Sequence, residues 1–211
     1  MLSLAQSLTL SDFHQMYAIE RAYYDPRYIT PPQEAFRWYQ AYPLSTLAVK
    51  EGEMVAGFLN LFPVRQEVFA QILAGTFNDR EMELCQLADP FSGTGTLHMF
   101  LCCIARRLDY QGQGVGGLLL KAGVEAYRTV AHRCGAIITD NVTEAGRRLS
   151  QRYGFAFQRE SDHGSSLYMQ PYAAFARRPQ NQRGAQKRPS AVGNQPGAAG
   201  NHFCWALRQR Q

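Results

Sequence analysis

Ile104-Ala-Arg-Arg-Leu-Asp-Tyr-Gln-Gly-Gln-Gly-Val-Gly-Gly-Leu-Leu-Leu120 is the stretch on which the reading of this chain turns. It follows a nearly unbroken apolar run over residues 97–105, which predicts a central strand buried on both faces. After the glycines, Val115, Leu119, Ala122, Ala126 and Val130 recur at three- and four-residue spacing. That spacing predicts an amphipathic helix lying on a sheet. Between strand and helix stand Gly112, Gly114, Gly116 and Gly117. Such a turn offers free backbone N–H groups and the positive end of a helix dipole, which suits a phosphate or pyrophosphate. Side chains would block that approach, so the glycines have a chemical reason as well as a packing one.

Working outward, Thr9-Leu10-Ser11-Asp12 reads as a strand end followed by a helix cap, with Ser11 as the cap. Phe13, Met16, Tyr17, Ile19, Glu20 and Tyr23 continue that helix until Asp25-Pro26 breaks it. Pro31-Pro32 opens a second helix, which ends before Pro43. Residues 46–50 and 55–62 form a hairpin around Gly52, and 66–73 a short helix stopped at Gly75. A strand is expected over 134–140 and a helix over 144–153, stopped by Gly154. Residues 155–159 and 166–170 form a closing antiparallel pair around Asp162-His163-Gly164. The fold class is therefore α/β of the mixed kind: a central, mostly antiparallel sheet flanked by helices.

Charge divides the chain. The 211 residues carry 22 Lys+Arg and 17 Asp+Glu, a net +5. Seven of those basic residues lie from Arg177 onward, where no acid occurs, which leaves the body at 15 against 17, net −2. Nucleic-acid contact is expected only through this basic tail. The tail, 177–211, is rich in Gly, Pro, Gln, Asn, Ala and Arg and is expected to be disordered, leaving 1–176 as one domain. No apolar run is long enough to span a membrane, and the N-terminus has no basic region ahead of an apolar one, so neither an anchor nor a secretory signal is expected. The five cysteines (Cys85, Cys102, Cys103, Cys134, Cys204) are odd in number and form no CxxC, which fits a reducing, cytoplasmic setting. The histidines show no metal-ligand spacing, and no metal is expected.

Gly112-x-Gly114-x-x-Gly117 also matches the dinucleotide fingerprint, with Asp140 placed as a ribose-binding acid. Too few residues follow it for the further βαβ units such a fold needs. Gln111-x-x-Gly114-x-Gly116 resembles motif A of the GNAT superfamily of N-acetyltransferases, whose pattern is Gln/Arg-x-x-Gly-x-Gly/Ala. Thr143-Glu-Ala-Gly-Arg-Arg-Leu-Ser-Gln-Arg-Tyr-Gly-Phe155 resembles that family's next signature, a helix ending in Gly-Phe. The resemblance covers roughly residues 8–172 and implies the acyl-CoA N-acyltransferase fold. It implies acetyl-CoA as co-substrate, its pyrophosphate held by the backbone of Gln111, Gly112, Gln113, Gly114, Val115, Gly116 and Gly117. It implies too that Ile104, Ala105 and Arg106 hydrogen-bond the pantetheine arm from a splayed strand. Members often form homodimers, so a homodimer is an expected assembly.

The implied reaction is direct attack of a primary amine, of a small molecule or a protein, on the thioester. The sequence departs from the family pattern at several points. Arg106 stands where an apolar residue is frequent, Leu108 where proline is, and Thr143 where asparagine is. Ser150 stands where many members carry a tyrosine that protonates the departing thiolate. Tyr153, one helical turn on, is a second candidate for that acid, or an aromatic packed beneath the helix. His98 is either the base or a hydrogen-bonded core histidine. Cys102 and Cys103 are small buried hydrophobes or, on a covalent route, nucleophiles. Tyr23, Tyr24, Tyr28 and Glu34 are expected around the acceptor, and Asp79, Glu81 and Glu83 either attract a cation or form a solvated loop. A module that binds CoA without turnover is the alternative reading.

Overall fold

The computed structural model describes residues 1–24, 29–79 and 82–178. The elements are β1 (Leu2–Leu4), α1 (Leu10–Arg21), α2 (Pro32–Ala41), β2 (Thr46–Glu51), β3 (Met54–Val64) and α3 (Gln66–Ala74), then β4 (Leu97–Arg106), α4 (Val115–Ala126), β5 (Cys134–Asn141), α5 (Glu144–Arg152), β6 (Ala156–Glu160), β7 (Ser166–Pro171) and α6 (Tyr172–Arg177). The strands form one sheet in the order β1-β2-β3-β4-β5-β7-β6. Every neighbouring pair is antiparallel except β4 and β5, which are parallel and joined through α4. The expected mixed, mostly antiparallel sheet is the one observed. The doubly wound sheet that the dinucleotide reading required is not.

Alternating side chains divide the core between the two faces of the sheet. Leu59, Leu61, Met99, Leu101 and Ile137 face α4, whose Val115, Leu119 and Leu120 meet them. Leu149 and Tyr153 of α5, and Tyr172 and Phe175 of α6, pack on this same side. On the other face, Phe58, Cys103 and Ala105 pack under α1, and Phe62, Val64, Phe100 and Ile138 under α3. One full guanidinium fork ties the long loop before β4: Arg133 donates to Pro90 O, Ser92 O and Gly95 O, each at 3.0 Å.

Three local expectations are corrected. Thr9, not Ser11, caps α1: its Oγ1 accepts from Asp12 N at 3.3 Å while Asp12 Oδ2 accepts from Thr9 N at 2.8 Å. The acid three residues on completes a capping box that Ser11 could not form. The first strand is at Leu2–Leu4, a three-residue edge strand too short and exposed to carry an alternation. Helix α6, unforeseen, buries Tyr172 and Phe175 and runs to Arg177. Arg178 Nη1 then donates to Arg152 O at 2.9 Å, so Arg177 and Arg178 close the domain. The rest of the expected tail, 179–211, lies outside the described residues.

Close approach of α4 to the sheet depends on Gly57 in β3. A Cβ there would lie 2.7 Å from Ala105 O and 2.7 Å from Val115 Cγ1. The first contact is backbone, which cannot swing aside. Gly57→Ala is therefore expected to cost about 1–3 kcal/mol by overpacking, read as a lower thermal midpoint. An unchanged midpoint would show that α4 can lift from β3 freely.

Candidate acyl-CoA and acceptor site

The turn between β4 and α4 is built to stay open. Gly112 and Gly114 adopt φ of 78° and 81°, a region that side chains resist. A Cβ on Gly112, Gly114 or Gly116 would meet nothing within 4 Å, so the backbone is uncovered. Gly114 is the N-cap of α4, and the first-turn N–H groups of that helix have no intrahelical acceptor. The frame around the turn is braced. Arg107 grips Asp109 through Nε and Nη2 at 3.1 and 2.9 Å, and Gln113 Nε2 donates to Asp109 O at 2.9 Å. Tyr110 donates to Glu51 Oε2 at 2.9 Å, tying the turn to β2.

The sheet opens beside this turn. β4 and β5 pair from Leu97↔Cys134 only as far as Leu101↔Thr139. Beyond that point Asp140 and Asn141 stay with β7, and Cys103 to Arg106 stay with β3. The edge of Ile104 and Ala105 that would face β5 is thus left without a pairing strand among the described residues, while Arg106 O accepts from the Tyr23 hydroxyl at 2.8 Å. Because β4 and β5 are parallel, their C-terminal ends lie at one end of the sheet. The glycine turn leaves from one, and Asn141 ends the other. A crevice at the C-terminal ends of parallel strands is a recurrent ligand position.

Asn141 is fully buried, and its Nδ2 donates to Ser150 Oγ at 2.9 Å. Its Oδ1 has no hydrogen-bond partner among the described residues. An open glycine cradle, an unpaired strand edge and an orphaned buried acceptor together fit a phosphate-bearing ligand with an amide-rich arm. Thr143 caps α5 by accepting from Gly146 N at 3.0 Å, so the family's frequent asparagine is replaced there by a helix cap. Tyr153 lies one turn past Ser150, half-buried against the core under α4, and burial pushes its hydroxyl up. His98 lies at the opposite end of β4, its ring stacked on Phe69 at 3.8 Å, and burial lowers its pKa. The structure thus groups Ile104–Arg106, Gln111–Gly117 and Ser150 at one end of the sheet and leaves His98 at the other.

On the α1 face a cavity of about 120 Å³ lies between the two packed clusters. A bulge in β4 shapes its floor. Leu101 pairs with Leu61 and Cys103 with Asn60, so Cys102 is the extra residue. The bulge lets Cys102 and Cys103, adjacent in sequence, both line the cavity. Cys102 Sγ donates to Asp79 Oδ2 at 3.5 Å and Cys103 Sγ to Glu20 Oε1 at 3.6 Å. Burial pushes the Glu20 carboxyl up to about 7; the Cys103 thiol opposes this and the Asp79 charge adds to it. Burial, reinforced by Asp79, Glu20 and Asp140, holds the Cys102 thiol well above its usual range. A thiol so held is a poor nucleophile, which argues against a covalent route. Asp140 is pushed up to about 6 by burial, against a hydrogen bond from Ser165 in the β6–β7 turn.

Of the residues expected around the acceptor, Glu34 and Asp79 line the cavity. Tyr23 instead donates to Arg106 O at 2.8 Å, bracing the strand edge, and Tyr24 packs with α1 and α2. The Glu83 N–H donates to Gln86 Oε1 at 2.7 Å in a short 3₁₀ turn. Tyr28 and Glu81 lie outside the described residues. Glu20, read in sequence only as part of the first helix, also lines the cavity. Its signal was an acid on the apolar stripe of α1, in step with Phe13 and Met16. Among the described residues no group of three or more His, Cys, Asp or Glu could hold a metal ion, and no helix is long and apolar enough to cross a membrane.

A mixed sheet whose parallel pair parts beside a glycine turn is the acyl-CoA N-acyltransferase fold. The family model described as "Acetyltransferase (GNAT) family" matches residues 13–155, and the chain belongs to that family. Solved structures agree on the fold. The GNAT-like decarboxylase GphF in complex with isobutyryl-CoA superposes with a TM-score of 0.58 at 13% identity, covering 82% of this chain and 99% of that one. Ard1 from Thermoplasma volcanium gives 0.53 at 13% identity, covering 81% and 97%. The yncA protein from Salmonella typhimurium, solved with its cofactor acetyl-CoA, gives 0.50 at 14% identity, covering 91% and 99%. No curated protein sequence matches the chain significantly.

Proposed function

We propose that this protein is an acetyl-CoA-dependent N-acetyltransferase acting on a primary amine by direct attack. The observation that carries the reading is the parting of β4 from β5 beyond Leu101↔Thr139, immediately before an uncovered glycine turn. On this reading the backbone of Gln111, Gly112, Gln113, Gly114, Val115, Gly116 and Gly117 holds the pyrophosphate, and the stretch Ile104, Ala105 and Arg106, past the point where β5 parts from β4, faces the pantetheine arm. The co-substrate, when bound, supplies an activated acyl thioester. The chain positions it, offers N–H groups toward its carbonyl, and keeps a proton donor close.

Tyr153 is the favoured donor, and Ser150 is the alternative: its Oγ accepts from Asn141 Nδ2 at 2.9 Å, but the residue is fully buried and an ordinary hydroxyl is a poor acid. The position of His98 at the other end of β4 speaks against it as base. A cytoplasmic setting goes with the reading, through the cysteine usage. One observation favours a second reading, a CoA-binding module without turnover: a serine stands where the family often carries its tyrosine acid.

Calorimetric titration of the full chain with acetyl-CoA, with NADH as control, tests the cofactor half. Saturable acetyl-CoA binding, weakened at least about tenfold in Gly114→Leu, is expected, since leucine both fills the cradle and resists φ of 81°. Binding of NADH alone would overturn the reading. Release of CoA thiol in the presence of amines separates the enzyme from the silent module.

A further inference from the structure

We infer that segment 202–207 of this chain docks over the cavity behind the β4 bulge, as a plug tethered to its own domain. The docking does not depend on the acetyltransferase reading. Its consequence, that the segment and an acceptor compete for one space, rests on that reading.

The sequence of the segment is the first observation. From 179 to 201 the chain is Gly, Pro, Gln, Asn, Ala and Ser with a few basic residues, and Val192 is its only large apolar side chain. That composition is a flexible linker. Phe203, Trp205 and Leu207 follow at every second position, with the small Cys204 and Ala206 between them. An extended segment with this spacing presents all three large side chains on one side. Such a side, carried on a polar linker, gains free energy from any apolar surface that takes it out of water.

The cavity offers that surface. Phe13, Met16, Trp38, Phe58 and Phe62 line it. Its volume of about 120 Å³ is below the roughly 150 Å³ that holds benzene, so it admits one branched aliphatic side chain and excludes an indole. Leu207 is the side chain of that size. Phe203 and Trp205 are left for the rim, where Trp38 is half-buried. Charge has the matching sign. Glu34, exposed in the first turn of α2, lines the cavity, and no basic side chain does so among the described residues. Arg208 and Arg210 come directly after the apolar triplet, and 179–211 contains no acid. Seating Leu207 therefore brings Arg208 to an acidic mouth.

The tether reaches. A flexible linker over 179–201 has a root-mean-square span of about 26 Å and a fully extended limit of about 80 Å, against roughly 40 Å across a domain of this size. Such a tether holds the segment at a local concentration in the millimolar range. An intrinsic Kd of about 0.1 mM then leaves it docked roughly ten parts to one. The plug is therefore held firmly enough to cover the cavity and weakly enough to be displaced.

The test is hydrogen exchange of the full chain, followed by mass spectrometry with no co-substrate present, so that a failure of the acyl-CoA reading cannot affect it. Peptides over 203–207, and those over α1 and α2, are expected to exchange about tenfold slower than in a chain carrying Phe203→Ser, Trp205→Ser and Leu207→Ser. Glu34→Arg leaves the tail intact and alters an exposed position; it is expected to reduce that protection about threefold. Peptides of β5 and β7 should exchange alike in all three chains, which shows that each is folded. Protection should not change with protein concentration. Exchange of 203–207 at the rate of an unstructured chain would overturn the proposal. So would protection that leaves α1 and α2 unchanged or ignores Glu34→Arg, which places the segment elsewhere, and protection that grows with protein concentration, which assigns it to a second copy.

Discussion

Gly116→Asp should leave the protein as stable as the wild type or more so, and should abolish acetyl-CoA binding. The two effects have one cause. Gly116 lies in the first turn of α4, has no positive φ, and has open space where a Cβ would stand. Replacing a helical glycine by aspartate gains about 0.3 kcal/mol from helix propensity, and an acid in the first turn gains about 0.3–1 kcal/mol against the helix dipole. That carboxylate then occupies the place proposed for the pyrophosphate and repels it. A loss of about 100-fold or more in affinity, roughly 2.7 kcal/mol, is expected from calorimetry, beside an unchanged or raised melting temperature. A stable variant that still binds acetyl-CoA normally would move the anion site away from this turn. Gly114→Leu cannot make that distinction so cleanly, because it adds backbone strain to the block.

Glu20→Gln should stabilise the protein above pH 7 and make little difference below pH 4.5. Burial raises the Glu20 carboxyl from 4.5 to about 7 in the folded state. Between those values the folded protein keeps a proton that the unfolded chain has lost, so the contribution is fully present below 4.5 and disappears as pH rises through 7. Glutamine mimics the neutral acid and feels no such loss. The gain at pH 8 is about 2 kcal/mol once the partial exposure of Glu20 is allowed for, a rise of several degrees in melting temperature. Equal melting temperatures at pH 8 would show that the carboxyl is well solvated and titrates as in the unfolded chain.

The legible part of this protein was the part written in neighbouring residues. The glycines at 112, 114, 116 and 117 announce an open turn because their backbone freedom is local. The α4 helix was visible in its apolar spacing, and the β2–β3 hairpin in two apolar runs around Gly52. Where those local signals were weak, the reading slipped. The edge strand β1 has three residues, and α6 has six, of which Tyr172 and Phe175 are buried by a sheet the sequence does not display.

The candidate acceptor site belongs to the other category. Glu20, Asp79, Cys102 and Cys103 come from a helix, a loop and a bulged strand, and no spacing in the chain connects them. Read in sequence, Cys102 and Cys103 were small buried hydrophobes in an apolar run or, on a covalent route, nucleophiles; one extra residue against β3 turns both to the same cavity. His98 drew attention by its chemistry, but the sheet sets it at the far end of β4 against Phe69. The amino-acid sequence alone determined the fold class, the glycine turn and the helix that follows it, because dihedral preference and periodicity act over a few residues. Only the tertiary structure decided which acids face one cavity and where β4 leaves β5, because desolvation and strand pairing depend on segments distant in the chain.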